Sequence, residues 1–99
     1  MNIPRLSESD LHPHLKARME QRGVTLEELQ RTLDEGWPAT DVRPGTFGKI
    51  FVFSYAREWE GSCYAEKEVT VYHKTIQIGI VVLTVKARYG DGFARGGAQ

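Results

Sequence analysis

The feature that most constrains this chain is a pair of alternating runs close together in its second half. In "EKEVTVYHK", Val69, Val71 and His73 fall on one side, and Glu68, Thr70, Tyr72 and Lys74 on the other. In "IVVLTVKARY", Val81, Leu83, Val85 and Ala87 share one side, and Ile80, Val82, Thr84, Lys86 and Arg88 the other. Such period-two alternation predicts strands with one buried face. Gly79 breaks the chain between them, and so short a connection joins antiparallel neighbours only. A hairpin centred near Gln77 sets Val69 against Val85 and Val71 against Leu83. It also sets Glu68 against Lys86 and Glu66 against Arg88, opposite charges that stabilise a strand pair by roughly 0.2–1 kcal/mol each.

An earlier run, "KIFVFSY" over residues 49–55, is β-branched and aromatic with both sides largely apolar. It predicts a third strand, and a second copy of the chain is one candidate cover for its outer side. The turn-rich link before it leaves room for a fourth, short strand in the 39–45 region. Residues 56–65, with Trp59, Gly61 and Cys63, read as a long connection.

The apolar sheet face needs a cover, and the sequence supplies it upstream. A helix starting at Ser9 or at His12 runs to Arg22. With His12 as cap, Pro13 sits at the first helical position, where its missing N–H does no harm. Gly23 supplies the stop. Thr25 and Glu28 form a capping box for a second helix, whose Leu26, Leu29 and Leu33 line one stripe. Gly36 and Pro38 end it. Helices segregated ahead of antiparallel strands predict an α+β fold, two helices packed on one sheet of three or four strands. The expected domain covers residues 1–89, with a flexible glycine-rich tail over 90–99.

Basic and acidic residues balance at 13 each, which argues against a surface that grips nucleic acid all over but leaves room for a local basic patch. Cys63 is the only cysteine, so no disulfide closes within the chain, and one thiol with three scattered histidines has no zinc spacing. No cofactor or metal is therefore expected. The apolar runs are too short to span a bilayer and no basic-then-apolar leader opens the sequence, which gives the expectation of a cytoplasmic chain without a membrane partner.

Two clusters carry potential chemistry. On the first helix, Leu11, Leu15 and Met19 mark the packed side, and at about 100° per residue His14, Arg18 and Arg22 border it. There His14 can serve as acid or base and Arg18 as a phosphate clamp, with Arg22 as a further cation. The same residues also suit a plain rim, since arginine lays its stem on apolar surface. On the polar side of the strand pair, Tyr72 can act as acid or stacking group, with Lys86 and Arg88 as phosphate-binding cations. The helices cover the other side, so the two clusters meet only around a sheet edge.

The order His14-x-x-x-Arg18-Met19, then Arg22-Gly23-Val24-Thr25, then strands closing on Val81-Val82-Leu83-Thr84-Val85, resembles the domain family of unknown function numbered 4258. The resemblance covers residues 12–88. It departs at Leu15, where the family usually has alanine, and in the long stretch Arg57 to Ala65. That family is grouped with the RelE, barnase and colicin-nuclease folds. The resemblance thus implies a toxin-like, metal-independent endoribonuclease acting on RNA, with an antitoxin-like protein as a further partner. Shared fold is a weak warrant for shared function. A non-catalytic protein-binding or dimerisation module on the same fold is the alternative.

Overall fold

In the computed structural model, which describes residues 5–77 and 79–96, a 3-10 turn at Glu8–Asp10 leads into α1 (Pro13–Arg22) and α2 (Leu26–Glu35). Four strands follow: β1 (Trp37–Pro38), β2 (Phe47–Trp59), β3 (Ser62–Ile76) and β4 (Gly79–Gly90). They form one antiparallel sheet in chain order, with both helices on one face. This is the expected α+β arrangement. The short first strand falls at 37–38, just ahead of the expected 39–45.

Local chemistry sets the helix ends. His12 caps α1: its Nδ1 accepts the Leu15 N–H at 3.1 Å and its Nε2 lies 3.2 Å from the Val82 carbonyl. Since Nδ1 accepts, Nε2 carries the proton, and one imidazole both caps the helix and ties it to β4. Gly23 closes α1 at φ 74°. Thr25 and Glu28 complete the capping box of α2 in both directions, at 3.1 and 3.0 Å. Gly36 has an ordinary φ of −72°, so no left-handed turn requires it. It is glycine because a Cβ there would stand 2.4 Å from the Thr32 carbonyl oxygen and 2.6 Å from that of Ile50.

Leu15, Met19, Leu29 and Leu33 from the helices, with Leu11 just ahead of α1, pack on Val69, Val71, Val82 and Val85. Burying a leucine or valine side chain stabilises by roughly 1.5–3 kcal/mol each, so this layer holds the two halves together.

The strands differ from expectation in three ways. Residues 56–65 are no loop: β2 and β3 continue as a long hairpin arm, turned at Glu60 and Gly61, both at positive φ (50° and 90°). That pair matches a tight two-residue turn, and Trp59 and Tyr64 on the arm pack on Tyr89 while its other side chains are exposed. A bulge at Ala56 (φ 49°) absorbs the register shift between Ser54 and Arg57. The β3–β4 register is also two residues from the expected one: Glu68 faces Arg88 and Thr70 faces Lys86. Moving by two keeps each residue on its face but changes its partner. Finally, Tyr72 pairs with Thr84 while His73 pairs with Val82, leaving Leu83 as an extra residue. The alternation of β4 flips there, so Val82 is buried and Val81 exposed, the reverse of the expected phase.

The glycine-rich end, expected to trail freely from residue 90, returns across the sheet as far as it is described. The Phe93 N–H donates to Glu66 at 2.9 Å, and the Arg95 guanidinium donates to the Val52 carbonyl at 2.8 Å and to Glu66 at 2.9 Å. Val52, on the outer side of β2, is buried beside this segment. Residues 97–99 of the expected tail lie outside the described residues.

Candidate functional site

The face of the sheet turned away from the helices carries Glu68, Thr70 and Tyr72 in succession on β3. Opposite them on β4 stand Arg88, Lys86 and Thr84. Tyrosine, acid and cations thus lie on adjacent strands because the alternation of β3 and β4 is in phase over this stretch. Arg88 grips Glu68 with two nitrogens, at 2.8 and 3.1 Å. Its other side lies over the Phe93 ring, 4.9 Å from the centroid. The hydrogen bonds donated to the Glu68 carboxylate raise the Arg88 pKa above its usual value. Only 13% of the Glu68 side chain is exposed, against 67% for Arg88.

The third wall comes from the segment between β1 and β2. Gly48 lies opposite Tyr72, and a Cβ there would stand 2.8 Å from Ala39 Cβ and 3.1 Å from Val42. The bare backbone lets residues 39–42 settle on the sheet, which brings Asp41 over the face. Asp41 Oδ2 accepts from the Tyr72 hydroxyl at 3.0 Å and from Lys86 Nζ at 3.2 Å. Lys86 and Tyr72 together hold the Asp41 carboxyl below its usual range, and Tyr72, followed by Asp41, raises the Lys86 pKa. Lys86 Nζ also lies 5.3 Å from the Tyr72 ring centroid.

These groups line a cleft of about 470 Å³, which Arg22 reaches from the end of α1. The structure therefore brings Arg22, Tyr72, Lys86 and Arg88 together. It sets His14 and Arg18 apart, on the part of α1 that packs beside β4 on the helix side. His14 is exposed and stacks on His12 at 6.3 Å. Arg18 is half-buried and outside the cleft. Arg22 alone rounds the sheet edge.

No family model, curated protein or solved structure matches this chain. Its chemistry is therefore read from its own residues. Among the described residues no group of three or more His, Cys, Asp or Glu side chains is placed to hold a metal ion. Nor, among the described residues, is any helix long and apolar enough to cross a membrane.

Sequence reasoning missed two groups. Asp41 carries no local signal, since its position depends on the loop folding over Gly48. Lys67 did carry one, because it lies in phase with Val69 and Val71 and so points to the core. It is 2% exposed, pairs with Glu28 at 2.7 Å and donates to the Gly23 carbonyl. Its ammonium lies 5.5 Å from the ring centroids of both Tyr55 and Tyr89, and Trp59 stacks on Tyr89 at 4.8 Å. Burial, then the neighbouring Tyr55 phenol and nearby carboxylates, push the Tyr89 phenol well above its ordinary range, and its hydroxyl donates to the Arg22 carbonyl. This lysine cross-links the α1–α2 corner to β3 and takes no part in the cleft.

Proposed function

We propose that this chain is a metal-independent endoribonuclease whose working surface is the outer-face cleft. One arrangement carries the reading. A carboxylate, Glu68, and a phenol, Tyr72, flank Thr70 on one strand, with Arg88 and Lys86 on the next. Cleavage by the ribose 2′-hydroxyl needs a base, an acid and cations for the phosphorane, and the cleft holds all three. Glu68 takes the 2′-hydroxyl proton, the 2′-oxygen attacks phosphorus, and the bond to the 5′-oxygen breaks. Tyr72 protonates that leaving oxygen, and the products are a 2′,3′-cyclic phosphate and a free 5′-hydroxyl. Solvent returns the proton from Glu68 to Tyr72. Arg88 and Lys86 bind the phosphate, and Arg22 adds charge at the rim. The resemblance of the chain's sequence pattern to a family grouped with nuclease folds favours the same chemistry. His14 and Arg18, outside the cleft, receive no role in it.

The test is cleavage of a single-stranded RNA in excess chelator, with analysis of the product ends. The wild type is expected to yield cyclic phosphate ends. Glu68→Gln and Tyr72→Phe should each slow cleavage by about 100-fold or more. An inactive wild type, or undiminished rates in both variants, would sink the assignment.

One observation favours a second reading, a non-catalytic protein-binding module. Arg88 and Lys86 are already neutralised by Glu68 and Asp41 within the chain. On that reading the wild type leaves RNA intact under every condition tested.

A further inference from the structure

We infer that Asp41 is a built-in occupant of the cleft, standing where an oxyanion of the ligand goes. Its displacement opens one continuous groove for a single-stranded nucleic acid. The inference rests on the RNA reading above and adds to it a competitor and a longer footprint.

A single oxygen of Asp41 accepts from both the Tyr72 hydroxyl and Lys86 Nζ. A bound phosphate would take the same two donors, one phenol and one ammonium. The Tyr72 hydroxyl has one proton to donate, and two anions drawn to one oxygen position repel, so ligand and Asp41 compete for that position. The contact is also easily given up. Asp41 is 60% exposed and Lys86 52%, and exposed ion pairs contribute little net stability. The segment keeps other anchors when Asp41 leaves: the Ala39 N–H donates to the Gly48 carbonyl at 2.9 Å, and Ala39 is buried.

A second cleft supports the longer footprint independently. It encloses about 640 Å³ on the far side of the same contact, and Asp41 and Tyr72 line both clefts. They form the partition. The second cleft adds Arg43 and Lys74, which make no ion pair among the described residues. With Asp41 withdrawn, the joined groove has Arg22, Lys86 and Arg88 on one side of Tyr72 and Arg43 and Lys74 on the other. Only Glu68 remains among them as an acid. Cations flanking an aromatic ring suit single-stranded nucleic acid, whose backbone follows the charge while a base stacks on the ring.

The test uses a DNA oligonucleotide, which lacks the attacking 2′-hydroxyl and stays intact. Asp41→Ala should bind it about tenfold more tightly than the wild type, because a competing state has been removed. Glu20→Ala, which removes an exposed carboxylate outside the groove, should change binding by less than about twofold. In the wild type, the side-chain carboxyl carbon resonance of Asp41 should move to the position of a solvated aspartate when the oligonucleotide binds, since Tyr72 and Lys86 let it go. If the wild type binds but Asp41→Ala binds no more tightly, the competitor is overturned and the RNA reading stands. Tighter binding by Asp41→Ala with a wild-type Asp41 carboxyl resonance that stays in place on binding reduces Asp41 to simple charge repulsion and also overturns it. Failure of both proteins to bind overturns the competitor and the RNA reading together.

Discussion

The two faces of the sheet each hold a lysine paired to a carboxylate beside tyrosine rings, and the two pairs behave differently. On the helix face, Lys67 meets Glu28 at 2.7 Å with 2% and 16% of the side chains exposed. On the outer face, Lys86 meets Asp41 at 3.2 Å with 52% and 60% exposed. Lys67 also donates to the Gly23 carbonyl, so the buried ammonium has several partners where water cannot replace them. Lys86 can exchange Asp41 for water or for a ligand anion at little loss. The same residue types thus make a fixed cross-link on one face and an exchangeable contact on the other, and desolvation decides which.

The comparison breaks first at Lys67. Lys67→Ala leaves Glu28 and the Gly23 carbonyl without their cation, and removing one partner of a buried pair costs about 3–5 kcal/mol. Urea unfolding should show that loss, and a loss under about 1 kcal/mol would place Lys67 with the surface lysines.

His73, on the helix face, gives the next largest effect. It is 7% exposed and neither ring nitrogen has a partner among the described residues. Burial, with a smaller effect from Lys49, lowers its pKa below 6.5. A lowered pKa means that the unfolded chain binds the proton more readily. Stability is therefore complete above pH 6.5 and falls as pH drops from there through the folded-state value. His73→Phe should remove this fall, and by deleting two unsatisfied atoms it should raise stability by about 1–3 kcal/mol at neutral pH. Thermal melts across the acidic range check both, and an unchanged pH profile in the variant would contradict the assignment.

Lys86→Ala sharpens the contrast from the other face. It should leave the urea midpoint unchanged within error while weakening oligonucleotide binding, because its pair is exposed and its charge faces the groove. A stability loss like that of Lys67→Ala would erase the distinction between the faces. The smallest effect belongs to His14. Among the described residues its one ring contact is with His12, so His14→Ala should alter neither the melting temperature nor RNA cleavage. A large drop in cleavage would return it to the site.

What was legible in the sequence was local. The caps at His12 and Thr25 lie within a few residues of their partners, so short patterns reveal them. Tyr72, Lys86 and Arg88 could be placed on one face because alternation survives a register shift of two. The partners do not survive that shift, so Glu68 meets Arg88 where the sequence pattern predicts Lys86. The flip at Leu83 lay hidden because Ile80, Val81, Val82 and Leu83 are all apolar and accommodate either phase. The stripe of His14, Arg18 and Arg22 was real as a margin of the packed face. Only tertiary placement shows that Arg22 alone reaches the cleft. Asp41 was out of reach, since its place depends on the bare backbone at Gly48 on another element.

The central claim is that the outer face works on a ligand while the helix face holds the fold. Titrating isotopically labelled protein with the DNA oligonucleotide and following every amide by NMR tests it most directly. The account predicts saturable shifts at Asp41, Glu68, Thr70, Tyr72, Lys86 and Arg88, with His14, Arg18 and Lys67 nearly still. Shifts centred on α1 and α2, or none at saturating oligonucleotide, would contradict it.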